Sequence, residues 1–92
     1  MPTVDALVIN EKDSVATALR QIQAGEKIHL KVSDKSHQIV VLTDIPVFHK
    51  LALYEIGQGE KIYKYGEVIG EAVSRIQAGE HVHSHNTVTL RG

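Results

Sequence analysis

Three histidines at alternate positions, His81, His83 and His85, stand near the end of a chain that holds six histidines in 92 residues. Imidazole has an ordinary pKa of about 6.5, close to working pH, and its neutral ring nitrogen is a common metal ligand. On an extended strand the three side chains would point to one face, with neighbours about 6.8 Å apart along the chain. Two such rings can lean onto one ion, since zinc-type bonds to imidazole nitrogen are about 2.0–2.1 Å long. The outer pair, roughly 13–14 Å apart, cannot share that ion. The run therefore offers at most a two-histidine ligand set, taken here as His83 with His85. A third ligand has to come from elsewhere, from His49 or from another chain. Strand packing and interface contacts are the competing roles for the same rings.

Other candidates lie upstream. His49-Lys50 follows a proline-containing loop: the histidine suits proton transfer, and the lysine could receive a substrate carboxylate. An exposed polar pair at a strand start is the structural alternative. Lys64 in Lys64-Tyr65-Gly66 could also bind a carboxylate, whereas Tyr65 more naturally packs and Gly66 turns the chain. Asn86 could cap a turn or hydrogen-bond a substrate hydroxyl. His29 and His37 fall in a polar hairpin and read as structural or solvated. No dinucleotide fingerprint surrounds Gly57, Gly59, Gly66 and Gly70, and Ser14, Ser74 and Ser84 lack a nucleophile context.

The elements that must position these residues are short. Ala6-Leu7-Val8-Ile9 reads as a buried strand. Asp13 or Ser14 can cap a helix, and Val15, Ala18, Leu19 and Ile22 share one helical face. The spacing predicts one helix over residues 14–24, stopped by Gly25. Lys27-Ile28-His29-Leu30-Lys31-Val32 then alternates as a strand, Ser33 to Ser36 turns, and His37-Gln38-Ile39-Val40-Val41-Leu42 returns as a hairpin. The motif Ile22-Gln23-Ala24-Gly25-Glu26-Lys27-Ile28-His29 recurs as Ile76-Gln77-Ala78-Gly79-Glu80-His81-Val82-His83. A looser copy runs Ile56-Gly57-Gln58-Gly59-Glu60-Lys61-Ile62-Tyr63. In each, an isoleucine anchors, a glycine turns the chain and a strand leaves. The unequal spacing of the copies excludes a solenoid. The expected fold is mainly β and strongly bent, with one short helix, in a single domain over residues 1–92.

Composition narrows the class. A chain this small buries only roughly 60–65% of the surface it exposes when unfolded, which favours docking on a partner or self-association as a homo-oligomer. With no Trp, one Phe and three Tyr, the core must be aliphatic. A formal net charge of -1 without a basic cluster argues against nucleic-acid binding. The absence of cysteine removes disulfide and thiol chemistry. Met1-Pro2-Thr3-Val4-Asp5 lacks the pattern of a signal peptide, and no apolar run has membrane-span length. A cytoplasmic location without membrane contact is the expectation.

Over residues 44–86 an ordered series accumulates: Asp44-Ile45-Pro46, His49-Lys50-Leu51-Ala52-Leu53, Ile56 with Gly59-Glu60, Lys64-Tyr65-Gly66, Ile69-Gly70, and Ala78-Gly79-Glu80-His81-Val82-His83-Ser84-His85-Asn86. This series resembles the SAF-type N-terminal domain of altronate and galactarate dehydratases, which also occurs as the small subunit of sulfolactate sulfo-lyase. The resemblance implies a β-clip fold and a part in eliminating water, or a related leaving group, from a hydroxylated carboxylic acid. It implies a large catalytic dehydratase subunit as partner, a sugar-acid substrate, and a divalent metal, iron(II) or magnesium-like, in the complete enzyme. It favours His49 and His83 as catalytic residues. The domain alone is expected to be inactive. A non-catalytic carbohydrate- or partner-binding module on the same scaffold is the alternative.

Overall fold

Residues 14–24 carry the apolar spacing of a helix, yet in the computed structural model, which describes residues 4–89, they form a strand followed by turns. No α-helix forms among the described residues. The reason lies in burial: in β2 (Val15–Ala18) Val15, Ala16 and Ala18 are buried and Thr17 is half-buried, so both faces are covered. On such a segment apolar spacing no longer distinguishes helix from strand. β2 lies between β1 (Ala6–Leu7) and β5 (Lys50–Ala52), in a sheet ordered β1-β2-β5-β8 that β8 (His81–Val82) completes. Pairing on two sides outweighs a weak intrinsic helix preference. The would-be helix caps hold other segments instead. The Asp13 carboxylate accepts from the N–H groups of Asn10 (3.2 Å) and Gly66 (2.9 Å). Ser14 Oγ accepts from the Tyr63 N–H at 3.0 Å.

Two hairpins extend from this sheet. β3 (Lys27–Val32) pairs with β4 (Lys35–Val40) across the two-residue turn Ser33-Asp34, a shorter turn than the composition suggested. β6 (Lys61–Lys64) pairs with β7 (Glu67–Ala72) across Tyr65-Gly66, and β9 (Thr87–Thr89) joins the other edge of β7. Tyr65 and Gly66 have φ of 56° and 77°, the pair of left-handed residues that a tight hairpin turn requires. Gly70 is where β9 comes closest: a Cβ there would stand 2.6 Å from the Val88 carbonyl oxygen.

The repeated motif is the turn that joins these pieces, and the described residues hold four copies of it. Besides the three visible in the sequence, Ile45-Pro46-Val47-Phe48-His49 turns in the same way. The N–H groups of Gly25, Gly59 and Gly79 donate to the carbonyls of Val41, Ala72 and Ala52, and Phe48 N–H donates to Ala18 in the same manner. Phe48 stands at the glycine position with φ 67°. The four anchoring isoleucines are at most 1% exposed and bridge in two pairs, Ile22 with Ile45 and Ile56 with Ile76. The first pair belongs to a core with Ala16, Ile28, Leu30 and Leu51. The second belongs to a core with Val15, Ala52, Ile62 and Val82.

Candidate functional site

His49 occupies the place that glutamate fills in the other three turns. There the carboxylates of Glu26, Glu60 and Glu80 accept from the backbone N–H three residues back, at Gln23 (2.6 Å), Gly57 (2.8 Å) and Gln77 (3.0 Å). In the fourth turn that residue is Pro46, which has no N–H to donate. A carboxylate would have nothing to cap, so the position is free for a side chain with another task.

That side chain turns toward the C-terminal histidines. His49 Nδ1 and His81 Nε2 share a hydrogen bond of 2.9 Å, and the His49 ring stacks on His81 and His83 with centroids 5.1 and 4.6 Å away. β8 pairs directly with β5, setting His81 opposite Leu51 and Val82 opposite Lys50. The His81 N–H donates to Thr43 Oγ1 at 2.9 Å, which fixes the strand end beside the fourth turn.

The strand stops at Val82, so the histidine run is not extended as expected. Asn86 causes the reversal. Its Oδ1 accepts from the His83 N–H (3.0 Å) and its Nδ2 donates to the His81 carbonyl (2.8 Å), while Thr87 Oγ1 donates to the His83 carbonyl at 2.8 Å. Asn86 is buried and acts as the cap of this turn, with both ends of its side chain engaged by backbone. The turn folds His83 and His85 back beside His81, at centroid distances of 5.4 and 5.2 Å.

The ligating nitrogens of His49, His81 and His83 lie within 4.8 Å of one another, and no other set of three His, Cys, Asp or Glu side chains converges in this way among the described residues. His83 thus belongs to the convergent group, His85 stands beside it, and His81 is the member that strand spacing alone passes over. The signal that could have found it is the alignment of Ile45-Pro46-Val47-Phe48-His49 on the other turns.

Electrostatics favour the neutral form of His81 and His83. Partial burial, then the neighbouring His49, His85, His83 and Lys50, push His81 down to about 4. His83 is lowered as well, by loss of hydration and by His49, Lys50 and His85. Unprotonated imidazoles keep the lone pairs that accept protons or bind cations. Lys50, half-buried on β5, has its pKa lowered by burial and then by the nearby Lys64, and it forms no ion pair with a described residue. It lines a cleft of about 80 Å³ with Val82, Thr87 and Thr89. Lys64 lies over the Tyr65 ring at 4.9 Å. The larger cleft, about 260 Å³ between Glu11, His37, Ile39 and Tyr54, is lined by none of these lysines or clustered histidines. His29 lies on the exposed part of the β3–β4 hairpin, with Nδ1 3.4 Å from Gln38 Nε2.

A β domain of four equivalent turns, with imidazoles and a half-buried lysine gathered where the odd turn meets β8, defines the class. Residues 4–90 match the model of the altronate/galactarate dehydratase SAF domain. The chain belongs to that family. It is 44% identical over 81 residues to an altronate dehydratase of Bacillus subtilis, covering 88% of this chain and 16% of that enzyme. The Escherichia coli altronate dehydratase is 40% identical over the same length, again with 16% of the enzyme covered. The alpha subunit of (2R)-sulfolactate sulfo-lyase from Chromohalobacter salexigens is 35% identical over 92 positions, covering 97% of this chain and 98% of that subunit. The chain therefore spans about one sixth of the dehydratases and nearly the whole of a lyase subunit.

Proposed function

We propose that this domain is the small subunit, or the detached N-terminal domain, of a lyase that eliminates water or a related group from a hydroxylated carboxylic acid such as altronate or galactarate. The observation that carries the reading is the end-to-end similarity to a subunit of a lyase. The bent arrangement of short sheets supports the β-clip assignment that the resemblance implies.

Such an elimination removes a proton beside a carboxylate and expels the neighbouring hydroxyl. Lys50 offers the carboxylate a cation that is in no ion pair with a described residue, and Lys64 adds positive charge nearby. His49 and His83 take up or return a proton as the bonds change, and the lowered pKa of His83 favours its neutral form. A divalent cation held by the imidazoles would neutralise the charge that builds on the carboxylate as the proton leaves. Three nitrogen donors within 4.8 Å suit such an ion. The remainder of the active site belongs to a large catalytic subunit, which would cover the histidine face.

Co-expression with the large subunit, followed by assay of sugar-acid elimination, tests this. The complex should turn over substrate and the purified chain should not. His83→Ala and Lys50→Ala should each lower kcat/KM at least about tenfold, which is about 1.4 kcal/mol of transition-state stabilisation, while His29→Ala stays near wild type. Equal activities for all three variants in intact complexes would overturn the reading.

A further inference from the structure

We infer that this chain by itself carries a transition-metal site built from His49, His81 and His83, selective for borderline ions such as Zn²⁺, Co²⁺ or Fe²⁺ over Mg²⁺.

Geometry comes first. Metal–imidazole bonds of about 2.0–2.1 Å place neighbouring ligand nitrogens about 3.0–3.4 Å apart. His49 Nδ1 and His81 Nε2 already stand 2.9 Å apart, and all three donors fall within 4.8 Å. The His49–His81 hydrogen bond has to open and its bridging proton leave as an ion binds, and His83, which is exposed, is free to swing inward. The three rings are stacked within 27° of parallel in every pair, so each has to turn about its side-chain bonds to bring its in-plane lone pair onto one ion. Three protein ligands would leave a position of a four-coordinate ion open to a further ligand.

The backbone under the ligands is fixed before any ion arrives. His49 leaves the fourth turn, where Phe48 N–H is bonded to Ala18 and His49 N–H to Pro46. His81 is held by pairing to β5 and by Thr43, and His83 by Asn86 and Thr87. A backbone fixed in advance lowers the ordering cost of binding. Donor chemistry then sets selectivity. Imidazole suits Zn, Fe, Ni and Cu, whereas Mg²⁺ takes carboxylate, carbonyl and water oxygens, and no carboxylate belongs to this group. The magnesium-like ion that the family resemblance allows is thereby disfavoured here. Lys50 is the opposing feature: its ammonium acts on both His81 and His83 and repels a bound cation. It limits affinity and prepares the open side for an anionic ligand.

The inference concerns the free chain and does not depend on the lyase reading. Calorimetric titration of the chelator-treated chain with Zn²⁺, together with the visible spectrum on adding Co²⁺, tests it. One Zn²⁺ per chain is expected, and millimolar Mg²⁺ should leave it bound. His83→Ala, on the exposed turn, should weaken Zn²⁺ at least about tenfold, a loss seen even for residues that merely orient a ligand. His85→Ala should change it far less, and Lys50→Met should tighten it. Unchanged Zn²⁺ affinity in His83→Ala and in the His49→Ala/His81→Ala double variant, or displacement of Zn²⁺ by Mg²⁺, would overturn the inference. Circular dichroism of each variant identifies any loss that comes from unfolding.

Discussion

Phe48 is 71% exposed while its backbone sits at φ 67°, a region that costs a non-glycine residue about 1 kcal/mol or more. It gains little burial in return. Phe48→Gly should therefore raise the urea midpoint of the isolated chain, by about 1 kcal/mol in stability; a lower midpoint would show that the ring contributes packing that offsets the strain. His81 governs a second property at this scale. Its pKa is held near 4, first by burial and then by His49, His85, His83 and Lys50, against about 6.5 in an unfolded chain. Between these values the unfolded state binds more protons, so stability falls as pH drops from about 6.5 towards 4. In metal-free protein the urea midpoint should decline from pH 7 to pH 5, where ordinary carboxylates are still charged, and His81→Leu should flatten that decline. Equal slopes for both proteins would place the pH dependence elsewhere. The histidines were legible as residues and their convergence was not. It depends on Pro46 removing one N–H and on Asn86 bending the chain, and neither effect has a period.

The turn is the element that organises the fold, and its four copies differ in what surrounds the left-handed residue. A Cβ on Gly25 would meet nothing within 4 Å at φ +94°, whereas one on Gly79 at φ +85° would press into the Val40 carbonyl. Gly25→Ala should thus cost only the left-handed penalty, about 1–2 kcal/mol. Gly79→Ala adds a backbone clash beside the His81 strand and should cost clearly more, read as the difference between the two urea midpoints. Equal costs would mean that the segment from Val40 to Val41 yields freely. Three turns are legible because Gly and Glu recur at fixed offsets from Ile. The fourth is hidden because Phe and His replace them. The misread helix has a related cause. Val15, Ala16 and Ala18 feed two cores from one strand, and a segment buried on both faces carries no periodic signature of either structure.

At the scale of the whole chain the two isoleucine pairs define two cores, and the same two strands serve both. In β2, Val15 enters the core of Ile56 and Ile76 while Ala16 enters that of Ile22 and Ile45; in β5, Ala52 and Leu51 divide likewise. The register joins them in kind, Val15 opposite Ala52 and Ala16 opposite Leu51. Neither core can lose its part of β2 and β5 without stripping the other of the same hydrogen-bonded pair. Unfolding should therefore be a single transition, although small β modules with separate cores can open piecewise. Leu51→Ala, in the first core, and Ile76→Ala, in the second, should each cost about 2–5 kcal/mol. Each should lower the stability reported from both halves by the same amount. Hydrogen exchange at the amides of Ile28 in β3 and Ile62 in β6 reads the halves separately. Should Ile76→Ala speed exchange at Ile62 and leave Ile28 protected, the cores open independently and the shared strands do not couple them.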